Sequence, residues 1–163
     1  MALAFSIDEV LEMAEQIERN GADFYRRAAA ITTLGNVRKL LEDLAAWEEG
    51  HEQTFAQMQE QLSKRQEEPV LLDPDNEAAL YLRAMADEHI FGPKTDPAQA
   101  LAGVETPAEI LKRALKFEED SIAFYEAMKE QVGLELGKDE VVRIIDEEQS
   151  HVVMLNEQIA SLR

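Results

Sequence analysis

Apolar residues recur at helical spacing through Val10, Leu11, Ala14, Ile17, Gly21, Phe24, Tyr25 and Ala28, one face of an amphipathic helix. The pattern breaks around Thr33 to Asn36, where Gly35 is available for a turn. A 4-3-4-3 stripe follows along Val37, Leu41, Leu44, Glu48, His51, Phe55, Met58 and Leu62, the signature of a second long helix. A third stripe runs Leu111, Leu115, Glu118, Ile122, Tyr125. After a break at Gly133 to Gly137, a fourth runs Val141, Ile144, Glu148, His151, Leu155, Ile159, Leu162. Two of the helices carry explicit start signals. Ser6-Ile7-Asp8-Glu9 and Thr106-Pro107-Ala108-Glu109 both read as capping boxes, the second with proline at the first helical position.

The two halves repeat. Sliding the chain by 100 positions without a gap aligns Glu9 with Glu109, Leu11 with Leu111, Glu18 with Glu118, and Phe24-Tyr25 with Phe124-Tyr125. Further on it aligns Glu48 with Glu148 and His51 with His151, so Glu-x-x-His occurs once per half. Each half reads as a helical hairpin, about 6–64 and about 106–163. The stretch between them, about 65–105, holds Pro69, Pro74, Gly92, Pro93 and Pro97 and one short helical segment near Asn76 to His89. Two hairpins and a connection of that length predict an all-α four-helix bundle with one long crossover, a single domain over 1–163. The crossover is also long enough to exchange hairpins between two chains.

Glu18, Glu48, His51, Glu118, Glu148 and His151 occupy stripe positions where the pattern calls for a hydrophobe. A buried charge costs several kcal/mol unless it is paired or bound to metal. In each half the two glutamates straddle the expected turn, with midpoints at residues 33 and 133. A chain that climbs some 15 residues and descends as many returns to the same height. Residues three apart share a helix face, so each histidine joins its Glu-x-x-His glutamate. Four carboxylates and two imidazoles at one level of a bundle have the composition of a dinuclear metal site. Two divalent ions cancel four carboxylates, and mixed oxygen and nitrogen donors suit iron or manganese and could also hold zinc or cobalt. The expected roles are terminal ligation by Glu18 and Glu118, bridging by Glu48 and Glu148, and one histidine per metal.

Charge and composition narrow the function. Acidic residues outnumber basic ones 34 to 16, and the net charge of −18 repels nucleic acid and anionic membrane surfaces. No cysteine is present, which excludes thiol nucleophiles, disulfides and Cys₄ metal sites. Met1 to Val10 has no basic residue before an apolar run, and no window approaches the length of a membrane span. A cytoplasmic location is the expectation.

The pattern Glu18…Phe24-Tyr25…Glu48…His51, given again as Glu118…Phe124-Tyr125…Glu148…His151, resembles the rubrerythrin branch of the ferritin-like diiron-carboxylate superfamily. The resemblance covers both hairpins and, since bundles of this family usually pair and the crossover permits exchange, it implies a homodimer. It implies a non-haem di-iron oxidoreductase of oxidative-stress chemistry, reducing H₂O₂ or O₂ or oxidising ferrous iron. Family members usually carry a rubredoxin-like Cys₄ domain. Without cysteine, electrons would come from an external donor such as a rubredoxin-like protein. Rubrerythrins also resemble one another in a further Glu three residues after the third-helix ligand, where this chain has Ser121. A ferroxidase or metal-buffering protein without peroxidase turnover is the alternative. The resemblance further implies that Tyr25 and Tyr125 lie near the metal and hydrogen-bond its carboxylates, alongside their plainer reading as an aromatic core pair. Trp47 reads as packing. Glu49, Glu119 and Glu147 read as solvated or ion-paired flanks, one of which could orient a ligand from outside. His89 reads as a surface residue, the acidic runs Glu67-Glu68 and Asp73 to Asp75 as solvated linker, and Met13, Met58, Met128 and Met154 as core filler.

Overall fold

A computed structural model of the chain describes residues 6–65, 77–85, 101–132 and 137–163. Five helices lie within them: α1 (Ile7–Ile31), α2 (Gly35–Lys64), α3 (Glu77–Met85), α4 (Pro107–Lys129) and α5 (Lys138–Ser161). Both expected capping boxes form. The Ser6 N–H donates to Glu9 Oε2 at 2.7 Å and the Glu9 N–H returns to Ser6 Oγ at 3.2 Å. Thr106 and Glu109 repeat the exchange at 2.8 and 3.2 Å. Each box satisfies two backbone or side-chain valences that a helix start otherwise leaves open.

The turns differ from one another. Between α1 and α2 the connection is only Thr32 to Leu34, with Thr32 and Leu34 extended. Gly35 makes no turn; it opens α2, because the backbone has already left α1 at Thr32, which is extended with φ −77° and ψ 140°. Before α5, Gly137 sits at φ +100°, a left-handed conformation that suits glycine. A Cβ there would also meet the Met58 side chain at 3.1 Å.

Pairings across the bundle set its directions. Tyr25 reaches Glu118 while Tyr125 reaches Glu18, so α1 and α4 run antiparallel. His51 meets Glu147 and Glu148 while His151 meets Trp47 and Glu48, so α2 and α5 are antiparallel as well. Each hairpin reverses direction at its turn, and α2 and α4 therefore point the same way. The end of α2 and the start of α4 lie at opposite ends of the bundle, separated by roughly 45 Å, the length of a 30-residue helix. The crossover must travel that distance, which explains its length. Leu82 of α3 is buried among Val10, Phe55 and Met128 at one end, and Leu101 among Phe24, Leu44 and Ile110 at the other.

The core divides into these two apolar clusters, one at each end, with the six polar stripe residues between them. On α4 the buried face differs from the expected stripe. Leu115 and Ile122 are only half-buried, and the inward positions are Leu111, Ala114, Glu118, Ser121 and Tyr125. The same offsets hold on α1, with Leu11, Ala14, Glu18, Gly21 and Tyr25. Small side chains face in because α1 and α4 approach closely. At Gly21 a Cβ would come within 2.7 Å of the Phe117 ring. Met154 is half-buried, whereas Met13, Met58 and Met128 are in the core. No described helix is long and apolar enough to cross a membrane. His89, Glu67, Glu68, Asp73, Asp75 and Gly133 lie outside the described residues.

Leu44→Ala removes a fully buried side chain from one of the two apolar clusters and is expected to lower the unfolding free energy by about 2–5 kcal/mol, measured by chemical denaturation.

Candidate metal centre

Glu18 on α1, Glu48 and His51 on α2, Glu118 on α4, and Glu148 and His151 on α5 are all buried, none more than 3% exposed. They converge at mid-height. Donor atoms of Glu18, Glu48, His51 and Glu148 lie within 4.8 Å of one another, and so do those of Glu48, Glu118, Glu148 and His151. Glu48 and Glu148 are common to both groups. Each remaining Glu–His pair comes from one hairpin: His51 Nδ1 is 3.5 Å from Glu18 Oε2, and His151 Nδ1 is 3.5 Å from Glu118 Oε2. The two imidazole rings stack with centroids 5.8 Å apart.

Proteins normally satisfy buried polar atoms. Here most of the exceptions gather in one place, with only Glu15 Oε1 and Thr32 Oγ1 outside it among the described residues. Among the described residues, Glu18 Oε2, Glu48 Oε1, Glu118 Oε2, both Glu148 oxygens, His51 Nδ1 and His151 Nδ1 are buried and make no hydrogen bond. His51 Nδ1 comes within 2.8 Å of Glu148 Oε1, but without the angle a hydrogen bond requires. Carboxylate oxygens supply no proton to one another when ionised, so only added cations or protons satisfy the set. Four carboxylates and two imidazoles facing inward fit two divalent ions in number, charge and donor type.

The surrounding residues orient these groups. The Tyr25 hydroxyl donates to Glu118 Oε1 and the Tyr125 hydroxyl to Glu18 Oε1, each reaching into the opposite hairpin. That fixes one oxygen of each carboxylate and leaves the Oε2 atoms facing the centre. Burial, followed by the Glu118 and Glu18 charges respectively, pushes both tyrosine hydroxyls well above their ordinary range, so both remain donors. The tyrosines are also packed as core aromatics, Tyr25 edge-on to Phe24 and Phe117, Tyr125 against Phe55 and Phe124. On the far side of His51, Nε2 is 2.7 Å from Glu147 Oε2, and Arg143 Nη1 donates to Glu147 Oε1 at 2.8 Å. Of the three flanking glutamates, Glu147 alone touches a histidine of the centre. Glu49 pairs with Arg26, and Glu119 is exposed. Trp47 stacks on His151 with ring centroids 5.1 Å apart and planes at 13°.

Two features escaped the sequence reading. Phe117 lies across Gly21, whose absent side chain leaves room for the ring beside Glu48. Ser121 turns its hydroxyl to the Phe117 carbonyl at 2.9 Å. The available signal was the repeat itself, which sets Gly21 opposite Ser121.

The rubrerythrin family model matches residues 9–89, which hold α1 from Glu9 onward, α2 and α3. A crystal structure described as that of a ferritin-like diiron-carboxylate protein from Thermotoga maritima aligns over 100% of both chains, with a TM-score of 0.74 and 22% identity. At that identity the likeness speaks for the fold. No curated protein sequence matches. The fold is ferritin-like, and residues 9–89 of the chain are similar to the rubrerythrin family. Its 163 residues contain no cysteine, so no Cys₄ site lies within them.

Burial, then the charges of Glu148, Glu18 and Glu118, pushes the Glu48 carboxyl well above its ordinary 4.5. Burial, then Glu118, does the same to Glu148. At His51 burial disfavours the charge, but Glu18 and Glu147 outweigh it and raise the pKa above 6.5. Raised values on carboxyls and on a histidine act in one direction. The stability they provide is full below their unfolded values and is lost as pH rises through the folded ones. Chelator-treated protein is therefore expected to lose stability from pH 5 to pH 8, by about 1.4 kcal/mol for each unit by which a folded pKa exceeds its unfolded value, measured by urea denaturation at each pH. Glu148→Gln removes one of the carboxyls whose raised value sets this slope, and is expected to flatten the loss of stability between pH 5 and pH 8 in metal-free protein, checked by the same measurement.

Proposed function

We propose that Glu18, Glu48, His51, Glu118, Glu148 and His151 bind two iron ions and that the protein is an oxidoreductase reducing peroxide or dioxygen with electrons from an external donor. The observation that carries this reading is the convergence of seven unpartnered buried donor atoms from four helices on one level of the core. In a ferritin-like fold such a set has no structural use and stabilises nothing by itself. A pair of bound irons supplies the two-electron redox chemistry, and the polypeptide supplies position, charge and dryness.

Glu18 with His51 would hold one ion and Glu118 with His151 the other, and Glu48 and Glu148, common to both groups of donors, would serve both. Tyr25 and Tyr125 keep the terminal carboxylates from rotating. The apolar clusters above and below exclude water along the bundle axis. A ferroxidase or iron-buffering role without peroxidase turnover is the second reading. It is favoured by Ser121, which leaves this chain one carboxylate short of the rubrerythrin pattern at that place. We read the assembly as a homodimer. A closed hollow shell in sedimentation would point to storage instead.

Protein prepared without chelator is expected to carry two metal ions per chain by elemental analysis. Saturation with Fe²⁺ at about 100 times Kd is expected to add about 2.7 kcal/mol of stability, and Glu48→Ala or His51→Ala to abolish the gain. Stoichiometric peroxide added anaerobically to the ferrous protein is expected to oxidise both irons within the mixing experiment, followed by Mössbauer spectroscopy. Iron that stays ferrous would overturn the oxidoreductase reading while leaving metal binding intact.

A further inference from the structure

The two halves of the centre are related by the 100-residue repeat, and their six inward groups match one for one. The groups behind the two histidines do not. Position 147 is glutamate and position 47, its counterpart, is tryptophan. Glu147 accepts from His51 Nε2 at 2.7 Å and is itself held by Arg143 at 2.8 Å. Trp47 instead lays its indole flat on His151. A carboxylate behind an imidazole fixes the ring's tautomer, with the proton on Nε2, and raises the donor strength of Nδ1 toward a cation. An indole face fixes the ring plane but adds no charge and no hydrogen bond to the ring nitrogen.

Resting on the two-metal reading above, we propose that the centre is built unequal. The Glu18–His51 position, backed by Glu147, takes the first ion and holds it more tightly, and the Glu118–His151 position, backed by Trp47, fills second and exchanges more readily. Glu147 is a positioning residue for His51. Trp47 is one for His151. Both lie at the surface, 42% exposed for the Glu147 side chain and 39% for Trp47, so changing either leaves the core intact.

Trp47 is the single tryptophan of the chain and supplies the readout. Zn²⁺ has a closed d shell and no unpaired electron, so it alters indole emission here through contact with the His151 ring rather than by quenching at a distance. Zn²⁺ is titrated from a competing chelator into metal-free protein, with calorimetry for the two binding constants and Trp47 emission for the half that fills. The expected result is two separable steps, with most of the emission change in the second. Glu147→Gln is expected to weaken the first step about tenfold and leave the second within about twofold. Glu147→Asp should recover part of the loss. Trp47→Leu is expected to weaken the second step alone, by calorimetry. Two steps of equal affinity, emission changing in proportion from the first equivalent, or a Glu147→Gln shift shared by both steps would overturn the inequality. An absence of any Zn²⁺ binding would overturn the two-metal reading instead, so the two failures are distinct.

Discussion

Four carboxylates and two imidazoles buried at one level of a helical bundle make the constraint on which the rest of this structure depends. Each carboxylate repels the others, and burial denies them the water that would screen the repulsion. A chain that keeps such a layer must hold it in place from elsewhere. The two apolar clusters do so, one on each side of the layer. The long connection between the hairpins serves the same end. Antiparallel packing of α1 on α4 and of α2 on α5 brings both copies of Glu-x-x-His to the same height, and a chain with that topology must return along the length of the bundle before starting its second hairpin. The crossover is the consequence of where the charges have to meet.

The tyrosines link core to centre. Each is packed among aromatics of an apolar cluster, yet its hydroxyl crosses to the carboxylate of the other hairpin. One side chain thus fills volume, ties the hairpins together and sets the rotation of a terminal carboxylate. The inner set of groups obeys the pseudo-twofold of the repeat. Departures from it begin around that set, at Trp47 against Glu147 and at Gly21 against Ser121. The six converging groups match between the halves because they face one another in a single layer, while the positions around them are free to diverge.

Much of this was legible in the residues. Capping boxes at Ser6 and Thr106 are local, requiring four consecutive residues and no tertiary partner. The common height of Glu18, Glu48, Glu118 and Glu148 follows from helical rise and the placement of two turns. The inward face of α4 was harder. Hydrophobicity favours Leu115 and Ile122, yet Ala114 and Ser121 face the core, since close approach of two helices selects small side chains over greasy ones. Gly35 misled for a different reason: glycine permits a turn without requiring one, and the extended backbone of Thr32 had already ended the helix.

Alone, the order of residues determined the helices, the repeat, the crossover and the identity of the six inward groups, because each of these depends on spacing within a segment or on one rigid period. Only the folded molecule decided which glutamate stands behind His51, that Tyr25 and Tyr125 cross to opposite hairpins, and that Phe117 lies over Gly21. Those pairings join residues dozens of positions apart through side-chain rotamers and helix rotation, and neither quantity is written in the spacing of residues along a chain.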